Sequence, residues 1–301
     1  MTGESTRAGD RERSDPPGPF WTHTFWDALR FYYWSLEYVG LKGIPEGEWR
    51  REGDRISIPA RFLDGGSGLY VRERKQAELE TKLHRHEVTL NQVLRTVLSI
   101  ADDAVLSRLL GEPLRVRDPG PFERPGDGIR ARYGWGPEDN EVQPDGYYIG
   151  PSSVIALETR LAAKLQPKRV LQYAALMIWE ERLTGPKDEL GLLFVVPGKD
   201  VGRHWTDIGL AGPGDAQAVL DHLPGMSLSP GVGGLIRDYP DHLRDVLARL
   251  RLAVISWSDL DSAISALRLE LGTGQGDGTL DRLLAGLANQ IAVHEGTGVR
   301  R

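Results

Sequence analysis

A strand–helix–strand unit in the middle of the chain constrains the fold most. Ser152 to Leu161 contains the apolar run Val154-Ile155-Ala156-Leu157, and Gly191 to Val196 is apolar throughout. Between them Pro167 opens a helix that runs to Leu183. Proline suits a first helical turn, where its missing N–H leaves nothing unsatisfied. Two buried strands joined through a helix favour a parallel crossover.

Upstream, residues 71 to 111 read as helix. Leu79, Leu83, Val88, Leu90, Val93, Leu94, Val97, Leu98 and Ile100 recur at helical spacing, with a break near His86, and Gly111 and Pro113 stop the run. Ile129 to Trp135 alternates as a strand, and Asp145 to Ile149 is a second. With Ser152 to Leu161 these make three sequential strands, which favour an antiparallel meander. Downstream, residues 198 to 240 are rich in Gly, Pro and Asp. A helix over 241 to 252, a strand from Leu252 to Trp257 and helices over Asp259 to Leu271 and Leu280 to His294 follow.

The expected fold is therefore α/β, a mixed central sheet flanked by helices with additions at both ends. Residues 1–19 are polar and Pro/Gly-rich and read as a disordered tail. Residues 20–70 form an aromatic-rich extension, with a helix over 20 to 41 and a small strand pair over 44 to 70 that turns at Gly65-Gly66. Residues 71–200 are the core, and 201–301 are a C-terminal helical extension packed on it. At 301 residues the chain suffices for one large domain or two modest ones.

Composition removes several functions. There is no cysteine, which excludes disulfides, cysteine nucleophiles and thiolate metal sites. The net charge of −6 means that nucleic acid would have to be met by a local basic groove rather than by bulk attraction. The longest apolar runs are too short to cross a bilayer, and the N-terminus lacks the apolar stretch of a signal peptide. The expected location is cytoplasmic. No P-loop, G-x-G-x-x-G or G-x-S-x-G motif is present.

The chemistry lies on the strands. Glu158 interrupts an apolar run, and a carboxylate in a two-sided buried strand is costly unless it is paired or metal-bound. Read alone, it is equally an ion-pair partner of Arg160 or Arg132. Asp145 follows Pro144 at the start of the preceding strand, so hairpin pairing brings it beside the later part of the next. Period two puts residues 158 and 160 on one face, roughly 6.6 Å apart. Two carboxylates facing one point, with oxygen donors only, suit a hard cation such as Mg²⁺.

This arrangement resembles the PD-(D/E)XK nuclease superfamily, the restriction-endonuclease-like fold with its αβββαβ core. The motif stands as Pro144-Asp145, a gap, then Glu158-Thr159-Arg160. The following helix, Arg169-Val170-Leu171-Gln172-Tyr173, is similar to the Q-h-x-x-Y signature of the RecB-like branch, with Arg169 in place of Gln. Glu87 resembles the acidic residue often carried on the first core helix. The resemblance spans residues 85 to 197, and 251 to 260 also look like a late strand-and-helix element of such nucleases.

The resemblance implies a Mg²⁺- or Mn²⁺-dependent nuclease hydrolysing DNA, more than RNA, in phage defence or DNA repair. Asp145, Glu158 and the Thr159 carbonyl would hold the metal, and Glu87 would support it. Arg169 and Tyr173 would orient the site or touch the backbone phosphate. The chain departs from the pattern at Arg160, where the family has Lys. Lys shifts its pKa and helps activate water, whereas Arg stays protonated but still stabilises phosphoryl charge. Lys164, on the same strand parity, is a candidate for a displaced ammonium. The alternative is an inactive nuclease-fold module that binds nucleic acid or a protein partner. The aromatic N-terminal segment is the candidate surface for that partner or for homo-oligomers.

Overall fold

The computed structural model describes residues 48, 50–52, 55–57, 87–135, 142–161, 165–198, 201–210, 212, 216–272, 274 and 276–299. The expected tail, the aromatic helix over 20 to 41, the first half of the long helix (71–86) and Lys164 lie outside them. A strand pair does lie in 44 to 70, but it is β1 (Arg50–Glu52) against β2 (Arg55–Ser57), antiparallel with Glu52 opposite Arg55, so the chain reverses between them and not at Gly65-Gly66, which lies outside the described residues.

Helix α1 (Glu87–Ile100) opens on an acidic residue, which the positive end of the helix dipole favours. Its residues Leu90, Val93, Leu94, Val97 and Leu98 recur at helical spacing and are all buried. The chain continues through a four-residue helical turn, a π turn over Ser107–Gly111 and Glu112–Leu114.

The central sheet has four strands: β3 (Gly146–Ile149), β4 (Ser153–Thr159), β5 (Glu189–Val196) and β6 (Leu250–Ser256). They lie in the order of the sequence. β3 and β4 are antiparallel, with Gly146 opposite Leu157, and β4, β5 and β6 run parallel. The crossover from β4 to β5 is helix α2 (Pro167–Thr184), which opens on its proline and ends at Gly185, whose φ of 96° closes it. Every residue from Val170 to Ile178 that this helix turns toward the sheet or its neighbours is buried, save Gln172. The crossover from β5 to β6 passes through α3 (Val201–Asp207), α4 (Pro230–Asp238) and α5 (Pro240–Arg249). The Gly- and Pro-rich stretch after Gly198 is thus more helical than its composition predicts.

After β6 come α6 (Trp257–Glu270) and α7 (Asp277–Val293). Ser256 caps α6: its hydroxyl accepts from Asp259 N, while the Asp259 carboxylate accepts from Ser256 N. This reciprocal pair satisfies two end donors. Ser256→Ala is expected to cost about 1 kcal/mol, read as a lowered midpoint in urea.

Two apolar layers sandwich the sheet. Val154, Ala156, Leu192 and Phe194 meet α2, α4 and α5 on one side. Ile155, Leu157, Leu193 and Val195 meet α1, α6 and α7 on the other. Gly191 is required by this closeness, because a Cβ there would lie 2.7 Å from Leu114 Cδ1.

The expected strand from Ile129 to Trp135 is helical instead: Gly126–Gly128 forms a 3-10 turn and Ile129–Arg132 one α turn. The alternation was misleading because only Ile129 is fully buried. Arg132 bends back to pair with Glu180 on α2, and Tyr133 packs with Trp135 and Trp179. The antiparallel part of the sheet is therefore one strand pair, extended by a single bridge from Glu123 to Ile149. Among the described residues no helix is long and apolar enough to cross a membrane.

Candidate functional site

The sheet geometry decides where each candidate side chain goes. Along β4, Glu158 shares parity with Val154 and Ala156 and so faces α2, whereas Thr159 faces α1. Asp145 precedes β3, and the register that pairs Gly146 with Leu157 carries it opposite Glu158. Arg160 leaves the strand end, with its N–H still donating to Val195 O at 2.8 Å.

Glu158 is 2% exposed. Its Oε2 accepts a short hydrogen bond from the Tyr173 hydroxyl on α2, and its Oε1 pairs with Arg160 and, at 3.4 Å, with Arg169 Nε. Tyr173, itself fully buried, also reaches Leu157 O at 3.3 Å. Burial pushes the Glu158 carboxyl up, and the nearby Asp145 charge adds to this; Arg169, Arg160 and Tyr173 offset only part. Tyr173 is likewise pushed well above the usual phenol value by burial and the Glu158 charge, so it acts as a donor.

Glu87, in the first turn of α1, binds the same guanidinium from the other side. Its Oε1 accepts from Arg160 Nη1 at 2.9 Å and its Oε2 from Leu161 N at 2.9 Å. Arg160 thus bridges Glu87 and Glu158. Burial works against its charge, but Glu158 and Glu87 outweigh this and hold its pKa above the ordinary arginine value. The chain at this point is tied down from the C-terminal layer too, since Trp257 Nε1 donates to Arg160 O at 2.8 Å.

Asp145 has different partners. Its Oδ2 accepts from Thr159 N and from Thr159 Oγ1, each at 2.8 Å, and its Oδ1 accepts from Asn91 Nδ2 at 3.1 Å. Burial pushes its carboxyl up, against the Thr159 bonds and the Arg160 charge. Asp145 and Glu158 therefore interact through their charges, but each takes its hydrogen bonds from a different layer.

The structure thus brings these residues together at the carboxyl end of β4 as two hydrogen-bonded groups, Glu87, Glu158, Arg160, Arg169 and Tyr173 in one and Asp145 and Thr159 in the other, adjoining along the chain at Thr159-Arg160 and coupled by charge. Of the two arginines open to Glu158 by sequence, it takes Arg160; Arg132 belongs to Glu180. Sequence reasoning missed Asn91 and Trp257. Asn91 lies one helical turn after Glu87, a spacing that puts both on one face. Trp257 lies in the late strand-and-helix element but carries no signal of its own.

Among the described residues, no group of three or more His, Asp or Glu side chains is placed to hold a metal ion. A Mg²⁺ ion needs no third one, because it keeps several waters and uses one or two carboxylates with substrate phosphate. In donor type the set suits a hard cation, since every side-chain ligand atom is oxygen, although Glu158 is already paired to Arg160 and Arg169 and Glu87 to Arg160. No known protein family matches the sequence, and no curated protein or solved structure is similar to it.

Proposed function

We propose that the chain is a nuclease-like protein of PD-(D/E)XK type that hydrolyses DNA phosphodiesters with Mg²⁺ or Mn²⁺, in phage defence or DNA repair. The restriction-endonuclease-like core belongs to the same proposal. One observation carries it: residues drawn from positions 87, 145, 158 to 160 and 169 to 173 gather where β4 ends, in two adjoining hydrogen-bonded groups. Nothing in folding alone requires two buried carboxylates there, each with its charged form disfavoured.

Asp145 and Glu158 would hold the cation, which supplies water activation and neutralises charge developing on the phosphoryl group. Tyr173 fixes Glu158 by its hydrogen bond. Arg160, held by Glu87, cannot accept a proton from water but stabilises negative charge beside the cation. Arg169, the more exposed of the two guanidiniums, would be the one to meet a backbone phosphate.

A second reading has its own observation. The Arg160 guanidinium already bridges Glu87 and Glu158, which is the part a divalent cation would otherwise play. On that reading the chain binds nucleic acid or a protein partner without cutting. Plasmid nicking with Mg²⁺ or Mn²⁺ separates the two when wild type is compared with Arg160→Lys. The enzyme reading expects metal-dependent nicking by wild type and a gain of about tenfold or more in the lysine variant, since a group that helps move a proton contributes at least that much. Gel shift without cleavage by either protein supports the module instead.

A further inference from the structure

We propose that Asn91 is a positioning residue that aims the Asp145 carboxylate at the divalent cation; the inference rests on the metal-dependent reading above. Asn91 is on α1 and 7% exposed. Its Nδ2 donates to Asp145 Oδ1 at 3.1 Å, and its Oδ1 lies 2.5 Å from Thr159 Oγ1, which is itself 2.8 Å from Asp145 Oδ2. The three side chains close a ring that links α1, the end of β4 and the segment before β3.

The ring differs in kind from the rest of the network. Glu87 and Glu158 each take one neutral donor, Leu161 N and the Tyr173 hydroxyl, but both are also paired to guanidiniums, which offset their charge as they fix it. The direct donors to Asp145 are an amide, a backbone N–H and a hydroxyl, all neutral. They fix the carboxylate and leave its charge for a cation. The Thr159 hydroxyl has one proton, so Asn91 Oδ1 competes with Asp145 Oδ2 for it. Each turn that the amide wins leaves Asp145 Oδ2 with one donor fewer. Among the described residues Oδ1 accepts from Asn91 only, which leaves lone-pair capacity for a metal bond. Asn91 is therefore the contact that both holds Asp145 and limits how far it is neutralised.

The test is a double-mutant cycle on Mn²⁺ affinity, measured by electron paramagnetic resonance on the full chain. The proteins are wild type, Asn91→Leu, Asp145→Asn and the double variant, with Asn91→Ala in place of the leucine if that protein does not fold. Loss of a residue that orients a metal ligand weakens binding by about tenfold or more. Such a loss is expected for Asn91→Leu in wild type and no further loss in the Asp145→Asn background, because Asn91 acts through Asp145. An equal loss in both backgrounds, or none in wild type, overturns the inference. If Asp145→Asn leaves Mn²⁺ affinity unchanged, or wild type binds no Mn²⁺, the metal-dependent reading fails and the inference with it.

Discussion

Glu158→Gln is expected to abolish Mg²⁺-dependent plasmid nicking while leaving the chain folded. A bound metal supplies several kcal/mol of transition-state stabilisation, and each 1.36 kcal/mol is tenfold in rate, so the loss is on the order of 1,000-fold. Glutamine keeps the shape of Glu158 and still accepts from the Tyr173 hydroxyl. Arg160 retains Glu87, and Arg169 is partly open to water. The folded pKa of Glu158 is raised, so its contribution to stability is largest below its ordinary value and is lost as pH rises through the folded one. Removing the charge at neutral pH therefore costs little. A thermal melt within a few degrees of wild type, about 1 kcal/mol, is expected beside the loss of cleavage. A variant that still nicks at the wild-type rate sinks the assignment of Glu158 to the centre.

Glu180→Ala is expected to be the opposite case, with a large effect on stability. Glu180 lies on α2 with no solvent exposure. Arg132 Nε and Nη2 bind its two oxygens at 2.7 Å each, and Tyr133 and Thr184 donate at 3.0 Å. Burial by itself would raise its pKa, but the Arg132 pair outweighs that and holds the carboxyl below the ordinary 4.5. The alanine variant leaves Arg132 with Glu123 alone, beside a new cavity. Removing one partner of a buried pair costs about 3–5 kcal/mol. Because the folded pKa is lowered, the contribution is present above the ordinary value and lost as pH falls through the folded one. Urea melts at pH 7 and in acid check both points: the gap between the two proteins is expected to be wide at pH 7 and to narrow below about pH 4.5. An equal gap at both pH values excludes the ion pair as its source.

Where the sequence was readable, it was readable for local reasons. α2 begins on Pro167 and β5 is apolar from Leu190 to Val196, so the crossover needed no tertiary knowledge. The strand and two helices at the C-terminus carry their own periodicity and lie within a few residues of their expected bounds. Ile129 to Trp135 failed because its alternating pattern has a different origin. Arg132 is drawn to both Glu123 and Glu180, and Tyr133 and Trp135 to Trp179, contacts that the alternating pattern does not reveal. The gathering of Asp145 and Glu158 followed from hairpin pairing. That they take their donors from opposite layers did not, because Asn91 and Tyr173 enter from helices whose packing the sequence leaves open.

The strand order has a consequence for synthesis. Each strand's neighbour in space is its neighbour in the chain, so the sheet can be laid down in the order in which it leaves the ribosome. The face toward α1 is different, for its cover includes α6 and α7, which emerge only after β6. Until they arrive, Leu157, Leu193 and Val195 lack part of their apolar cover, and Arg160 O lacks its bond from Trp257 Nε1. That interval is when a chaperone would find this protein, and a truncation before Trp257 would prolong it indefinitely.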